Sequence, residues 1–203
     1  MEAITLTQIA LFAGSMTLAI LSPGPAIIAC IRAAAAHGAR MALPYALGLA
    51  VGASLWAVFA LAGLTILFEL VPVLYVVLRI GGGLYLLWFA WKLWRHARDP
   101  LPPGAKVGGF WAGMALNLSN PKPALFYSSL IVAIFPGAHD LWQNAAIYLT
   151  AVSTEVFWYV AMTLAMSLAP FRSAYLSAKT WIDRIAGAAL AALGLRLILR
   201  PHG

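Results

Sequence analysis

The sequence predicts an all-helical integral membrane protein, from its composition and from its long uncharged segments. Hydrophobic residues make up 63% of the 203 residues and charged residues 9%, whereas soluble domains are about half apolar and about a quarter charged. Residues 3–31 and 41–68 contain no Asp, Glu, Lys or Arg, and about 20 apolar residues suffice to cross a bilayer. A soluble protein of this size needs a more polar surface, so a soluble enzyme and a nucleic-acid-binding protein are both disfavoured.

Six apolar segments predict six membrane-spanning helices. They occupy 3–31, 41–68, about 70–94, 108–136, 140–169 and 180–199. Spanning strands are not expected, because a membrane barrel would show segments of about ten residues with alternating polarity. The first segment is too long for a signal peptide and has no basic residue before it, so we expect it to remain as a span. The sixth segment is the least hydrophobic and could instead lie in the membrane interface.

Basic residues indicate the orientation of these spans. The links after the first, third and fifth segments contain Arg and Lys, whereas the opposite side carries mainly acidic residues. Because basic loops stay in the cytoplasm, both termini are expected to be external. The net charge of +7 is explained in this way and requires no nucleic-acid partner. The basic link residues are Arg32, Arg40, Arg95, Arg98, Lys106, Arg172 and Lys179.

The two halves of the chain resemble each other, which predicts an internal repeat. Residues 79–95 (RIGGGLYLLWFAWKLWR) parallel 184–200 (RIAGAALAALGLRLILR), and SPGPA at 22–26 parallels NPKPA at 120–124. Each half would hold three spans, and an odd number reverses the second copy across the membrane, as in many transporters. The alternative is a chance match between apolar helices. We expect a single membrane domain over 1–203, with repeat A at 1–98, a Pro/Gly-rich linker at 99–107 and repeat B at 108–203.

Two proline motifs fall inside the first and fourth segments and predict a broken helix in each. Proline removes a helical hydrogen bond, yet it is favourable in the first turn of a new helix. Ser22 and Asn120 precede the prolines and are good N-caps. A helix start within the membrane favours an anion such as a carboxylate, and Lys122 adds a full positive charge. The alternative is a pair of kinks that only shapes helix packing. The predicted substrate-binding residues are Ser22, Pro23, Gly24, Pro25, Asn120, Pro121 and Lys122.

Glu155 is the most central acidic residue of the chain. No other charged residue lies between Asp140 and Arg172, and a charge at the bilayer centre is costly. Glu155 could carry a proton from one side of the membrane to the other. Alternatively, it could form a structural ion pair with Arg79 or Lys122.

The remaining polar residues indicate no catalytic or metal site. The sequence contains no HExxH, no CxxC and no GxxxxGK followed by Ser or Thr, and Cys30 is its single cysteine. We therefore expect no cofactor, no metal and no enzymatic activity. Asp183 and Arg184 lie near the start of the sixth segment, where we expect them to be interface anchors.

The motifs resemble those of the LysE/RhtB group of bacterial amino-acid exporters. The resemblance covers about residues 10–200 and rests on SPGPA, on RIGGGLYLLWFAWK before a basic loop, and above all on GFWAGMALNLSNPKPALFY. It implies an exporter of amino acids or close derivatives in the bacterial inner membrane, driven by the gradient of protons or of another cation. The substrate and the lipid bilayer would be its partners. Arg79 also matches the family, and Glu155 stands where an aspartate is common.

Two other functions are compatible with parts of this pattern. An exporter of another small solute, such as a metal ion, is disfavoured by the scarcity of membrane carboxylates and thiols, since hard cations prefer oxygen ligands. A membrane scaffold subunit that does not transport would not need two matched helix breaks with a lysine. The sequence leaves open whether the chain forms a homodimer.

Overall fold

The computed structural model consists of helices joined by short links in the part of the chain it describes. It describes the backbone of residues 4–22, 24–70, 72–99, 108–136 and 139–199, and the side chains of these residues other than 64–79 and 121. The expected all-helical class is confirmed, and no strand occurs among the described residues. The helices are α1 (Leu6–Leu21), α2 (Pro25–Leu70), α3 (Pro72–Arg95), α4 (Phe110–Leu118), α5 (Pro121–Ile134), α6 (Leu141–Met166) and α7 (Ala169–Leu199).

The long helix α2 is interrupted at Gly38. Gly38 has a φ of 73° and a ψ of 169°, a conformation that residues with a Cβ atom rarely adopt. The interruption divides α2 into a helix over 25–37 and a second helix over 39–70. The predicted link between the first two apolar segments is therefore almost entirely helical, with the break confined to one glycine.

Two stretches of described helix are long and apolar enough to cross a bilayer, namely Pro25–Gly63, which contains the interruption at Gly38, and Leu141–Met166. Leu6–Leu21 and Lys122–Ile134 are apolar but shorter. The first predicted segment consists of α1 and the start of α2, and the fourth consists of α4 and α5. The six-span arrangement requires α1 and the start of α2 to cross the membrane together as one span, and α4 and α5 as another. This arrangement stays a prediction.

Glycines allow the closest contact between helices. The helix α2 packs against α4 and α6, and α3 packs against α7 and α5. A Cβ atom on Gly48 of α2 would overlap the carbonyl oxygen of Phe110, and one on Gly113 of α4 would overlap that of Tyr45. Both positions need glycine because backbone meets backbone there.

Large apolar side chains cover much of the outer surface. Trp142 is 82% exposed, Trp111 72%, Trp181 65% and Phe157 62%. Soluble monomers rarely present large continuous apolar areas to water, whereas a surface that faces lipid chains is as apolar as the chains themselves. This surface agrees with the expected place of the chain in a membrane.

Candidate functional site

The first helix break separates α1 from α2. The helix α1 ends at Leu21 and α2 begins at Pro25, while Pro23 lies outside the described residues. The expectation that Ser22 caps a helix starting at Pro23 is wrong, because the helix starts two residues later. The Ser22 hydroxyl instead donates to Oδ1 of Asp183 at 2.8 Å. A carboxylate is a stronger acceptor than a neutral group, which explains why this side chain points to α7.

Prolines at positions 23 and 25 explain which backbone carbonyls at this break have no N–H partner within the helix. In a continuous helix the carbonyl of Ala19 would accept from the N–H of residue 23, and that of Leu21 from residue 25, but proline has no N–H. Side chains of other helices take both places. Nζ of Lys122 donates to the Ala19 oxygen at 3.1 Å, and the Tyr175 hydroxyl donates to the Leu21 oxygen at 2.9 Å. Contacts from α5 and α7 therefore stabilise the open end of α1.

The second break repeats this pattern between α4 and α5. The carbonyl of Asn117 would accept from the N–H of residue 121 in a continuous helix, and residue 121 is also proline. This carbonyl accepts from Nε1 of Trp56 at 3.4 Å and from the N–H of Asn120 at 3.3 Å. Asn120 caps α5, and its Oδ1 accepts from the N–H of Lys122 at 3.0 Å. In each break, a side chain from the other half of the chain covers a carbonyl that proline leaves open.

Lys122 lies where the two breaks meet. Its N–H belongs to the start of α5, and its ammonium group reaches the end of α1 at Ala19. The ammonium nitrogen lies 4.8 Å from the centroid of the Phe89 ring, within the range of a cation–π contact. A Cβ atom on Gly24 would lie 3.1 Å from this nitrogen, so glycine at 24 leaves room for the ammonium group. A lysine has three N–H donors, and the contact with Ala19 uses one of them.

Glu155 of α6 is 5% exposed and forms a hydrogen bond with α5. The Tyr127 hydroxyl donates to Oε1 of Glu155 at 2.9 Å. The other oxygen, Oε2, is buried and has no hydrogen-bond partner among the described residues. The side chain of Arg79 lies outside the described residues, so the expected ion pair stays a prediction. Tyr127 is absent from the predicted site, because nothing in the sequence distinguishes it from the other tyrosines.

Asp183 is a second buried acidic residue, and it lies next to the first break. It is 2% exposed, and its Oδ2 lies 3.0 Å from Nζ of Lys179. Asp183 is therefore buried between helices rather than exposed, and its expected role as an anchor at the membrane interface stays a prediction. The helix α7 begins at Ala169 rather than near residue 180, so Asp183 lies well inside it. The four-residue spacing between Lys179 and Asp183 could have indicated the pair, because such residues share a helix face.

Two cavities adjoin the breaks. The smaller one has a volume of about 40 Å³, and the larger one has a volume of about 570 Å³ and extends to the end of α3. Gly24, Asn120 and Lys122 line both cavities, so the two cavities meet at the breaks. Polar residues of the smaller cavity include Asn117, Tyr127, Glu155 and Tyr159. The larger cavity is also lined by Tyr85, Phe89, Leu93, His96, Asp99 and Asp183.

Comparison with known proteins identifies several relatives of this chain. The chain is 30% identical to "Threonine efflux protein" of Escherichia coli (strain K12) over 90% of its own length and 93% of that protein. It is 29% identical to an uncharacterized membrane protein of the same strain, over 91% of this chain and 86% of that protein. It is 26% identical to "Leucine efflux protein" of Klebsiella pneumoniae, over 82% of this chain and 81% of that protein. No solved structure matches the chain.

A family model covers nearly the whole chain. The model described as "LysE type translocator" matches residues 17–200, a range that includes both proline motifs, Arg79 and Glu155. The resemblance drawn from these motifs is confirmed by this match. The chain therefore belongs to the LysE type translocator family.

Proposed function

We propose that this protein is a secondary active exporter of amino acids or small amino-acid derivatives, driven by the gradient of protons or of another cation. Two relatives are named for the efflux of threonine and of leucine, which supports an amino-acid substrate. The observation that carries the proposal is the position of the Lys122 ammonium group. It contacts both helix breaks and lines both cavities.

Lys122 would bind the carboxylate of the substrate. Among the described residues, the hydrogen bond to Ala19 uses one of its three N–H donors, and the start of α2 adds partial positive charge beside it. Gly24 and Asn120 line both cavities with Lys122 and are placed to contact the substrate. Ser22 would act as a positioning residue, since its hydroxyl is bound to Asp183. The remaining members of the predicted set are Pro23, Pro25 and Pro121, which would keep the helix ends open.

The helices would form six spans in two inverted repeats, with repeat A at 1–98 and repeat B at 108–203. The repeat alignment that equates Arg79 with Arg184 also equates Leu86 with Ala191. Gly83 contacts Gly194, and these two residues lie three positions from Leu86 and from Ala191 respectively. Ala90 contacts Gly187, and these lie four positions away in the opposite direction along each helix. The two helices therefore run antiparallel and cross near Leu86 and Ala191, which the repeat alignment makes equivalent. A two-fold axis that relates α3 to α7 would produce this arrangement.

Glu155 would carry the coupling proton. It is the single charged residue of α6, it is buried, and it lines the smaller cavity together with Lys122. Acidic residues inside membrane segments often serve in proton relays. The proton and the substrate would thus bind in one cavity.

Single-cysteine labelling tests the proposed orientation in the inner membrane of a bacterium. We expect positions 98 and 106 to be cytoplasmic, and position 140 and both termini to be external, because basic loops stay inside. A cysteine at 140 should react with an impermeant maleimide from outside intact cells, whereas cysteines at 98 and 106 should not. The background is a Cys30→Ser variant. Labelling of position 98 without labelling of position 140 would contradict this topology.

Replacing Lys122 with alanine tests the proposed carboxylate site. A hydrogen bond to a charged group contributes about 1.5–3 kcal/mol, so we expect roughly tenfold to hundredfold weaker binding of amino acids with little change in expression. Isothermal titration of purified protein measures this loss. Arg95→Ala serves as the control, because Arg95 is exposed and contacts Trp91, outside the linings of both cavities.

The export function itself is tested with all twenty amino acids in vesicles that carry an imposed pH gradient. Gradient-dependent efflux of at least one of them supports the proposal. Absence of both binding and efflux for every amino acid would contradict it. Unchanged affinity in Lys122→Ala, with efflux intact, would instead remove Lys122 from the binding site.

A further inference from the structure

We propose that Glu155 also binds the α-ammonium group of the substrate, through its oxygen Oε2. The protein would then recognise a zwitterion with two opposite charges of its own, Lys122 for the carboxylate and Glu155 for the amine. This inference rests on the proposed export function and makes it more specific. The predicted substrate class is α-amino acids with a free amino group, as opposed to other small carboxylic acids.

The two oxygens of the Glu155 carboxyl group differ in their hydrogen bonding. Oε1 accepts from the Tyr127 hydroxyl at 2.9 Å, which fixes the orientation of the group. Oε2 is buried and has no hydrogen-bond partner among the described residues. Buried polar atoms are nearly always hydrogen-bonded in proteins, so an unpartnered oxygen beside a cavity indicates where a donor from a ligand would bind.

Lys122 and Glu155 line the same small cavity and lie near enough for their charges to attract each other, but they form no direct salt bridge. The ion pairs of the described side chains join Lys179 to Asp183 and His96 to Asp99, and none joins Lys122 to Glu155. Leaving two opposite charges apart in a buried cavity is costly unless other groups bind to them. A zwitterion would satisfy both, because its carboxylate and its ammonium group are joined through a single carbon atom.

The sizes of the cavities agree with this assignment. About 40 Å³ in the smaller cavity is room for roughly three water-sized groups, since one such group needs about 10–15 Å³. That space holds the charged head of an amino acid but not a large side chain. The side chain would lie in the adjoining larger cavity, beside Tyr85, Phe89 and Leu93. Recognition would therefore be strict for the head and permissive for the side chain.

Binding of paired ligands to the purified full-length protein tests the inference. The probes are L-leucine and L-threonine, each with the α-hydroxy acid that has the same side chain and carboxylate but no amine. Isothermal titration should show that the wild type prefers each amino acid over its hydroxy acid by about tenfold to hundredfold, the range for a hydrogen bond to a charged group. In Glu155→Gln the affinity for the amino acid should fall by that factor, while the affinity for the hydroxy acid stays within about twofold.

If the Glu155→Gln protein is not monodisperse, two further variants test the same inference. Glu155→Asp keeps the charge but withdraws it by one methylene, so the preference for the amine should shrink. Tyr127→Phe removes the hydrogen bond that orients the carboxylate but keeps its charge, so the preference for the amine should fall less than in Glu155→Gln. A wild type that binds leucine or threonine no better than its hydroxy acid, or a Glu155→Gln variant that keeps the preference, would overturn the inference. Failure of every amino acid to bind the wild type would instead contradict the proposed export function.

Discussion

Replacing the first proline motif, Pro23, Gly24 and Pro25, with three alanines is expected to abolish transport while the protein still inserts into the membrane. Alanine has the highest helix propensity and supplies the N–H groups that proline lacks at positions 23 and 25. These N–H groups would pair with the open carbonyls at the end of α1, so α1 and α2 would join into one continuous helix. Lys122 would lose its acceptor there, and the site between the breaks would be filled by helical backbone.

Efflux from vesicles with an imposed pH gradient measures the loss, and membrane fractionation with size-exclusion chromatography measures insertion. Pro44→Ala is the matched control, because Pro44 lies inside α2 away from both breaks and its removal should leave efflux near the wild-type rate. The single variant Pro25→Ala restores one N–H and should reduce efflux less than the triple variant. A triple variant that exports like the wild type would show that transport does not need the break.

The sequence predicts a break at each proline motif because proline acts locally, and helices end and begin beside both motifs. A proline removes the N–H at its own position whatever surrounds it, and Asn120 caps α5 through a hydrogen bond within two residues. The start of α7 could not be read in the same way. Arg172 and Lys179 indicate a loop by their charge, yet α7 runs through both from Ala169, because a helix can carry charged side chains near a membrane interface.

The partners of the buried charges could not be predicted, because they depend on how distant segments pack. The bond between Ser22 and Asp183 joins residues 161 positions apart, and that between Tyr127 and Glu155 joins α5 to α6. Apolar helices can pack against one another in many arrangements, and similar sequence patterns are compatible with all of them. The fold selects among them through contacts such as Gly48 against Phe110. Gly48 and Gly52 have the GxxxG spacing that permits close helix contact, but this spacing does not identify the partner helix.

Replacing Glu155 with glutamine is expected to stop uphill, gradient-driven efflux and to leave exchange at equal, saturating substrate concentrations partly intact. Glutamine cannot release a proton, but it matches the protonated glutamate in size and hydrogen-bonding capacity. The Tyr127 hydroxyl can still donate to the amide oxygen, so the contact between α5 and α6 that Oε1 now makes would survive. Saturating concentrations are needed because the same substitution weakens binding of the substrate amine.

The measurement compares two assays on the same vesicles. Uphill efflux is followed with an imposed pH gradient, and exchange is followed with labelled substrate at equal concentrations on both sides. Tyr127→Phe removes the hydrogen bond to Oε1 but keeps the acid, so its efflux should remain dependent on the gradient. Glutamine at 155 should make transport in either direction independent of the pH gradient, since no proton is then exchanged for the substrate.

A structural ion pair between Glu155 and Arg79 predicts a different outcome. Glu155→Gln would then leave a buried cation without its partner, which costs several kcal/mol, and the protein should insert poorly or aggregate. The double variant Glu155→Gln with Arg79→Gln removes both charges, so it should restore the fold and uphill transport if the pair is only structural. If Glu155 carries the proton, the double variant restores no uphill transport. Full gradient-driven efflux in the single variant Glu155→Gln would exclude the coupling role, because glutamine cannot bind and release a proton.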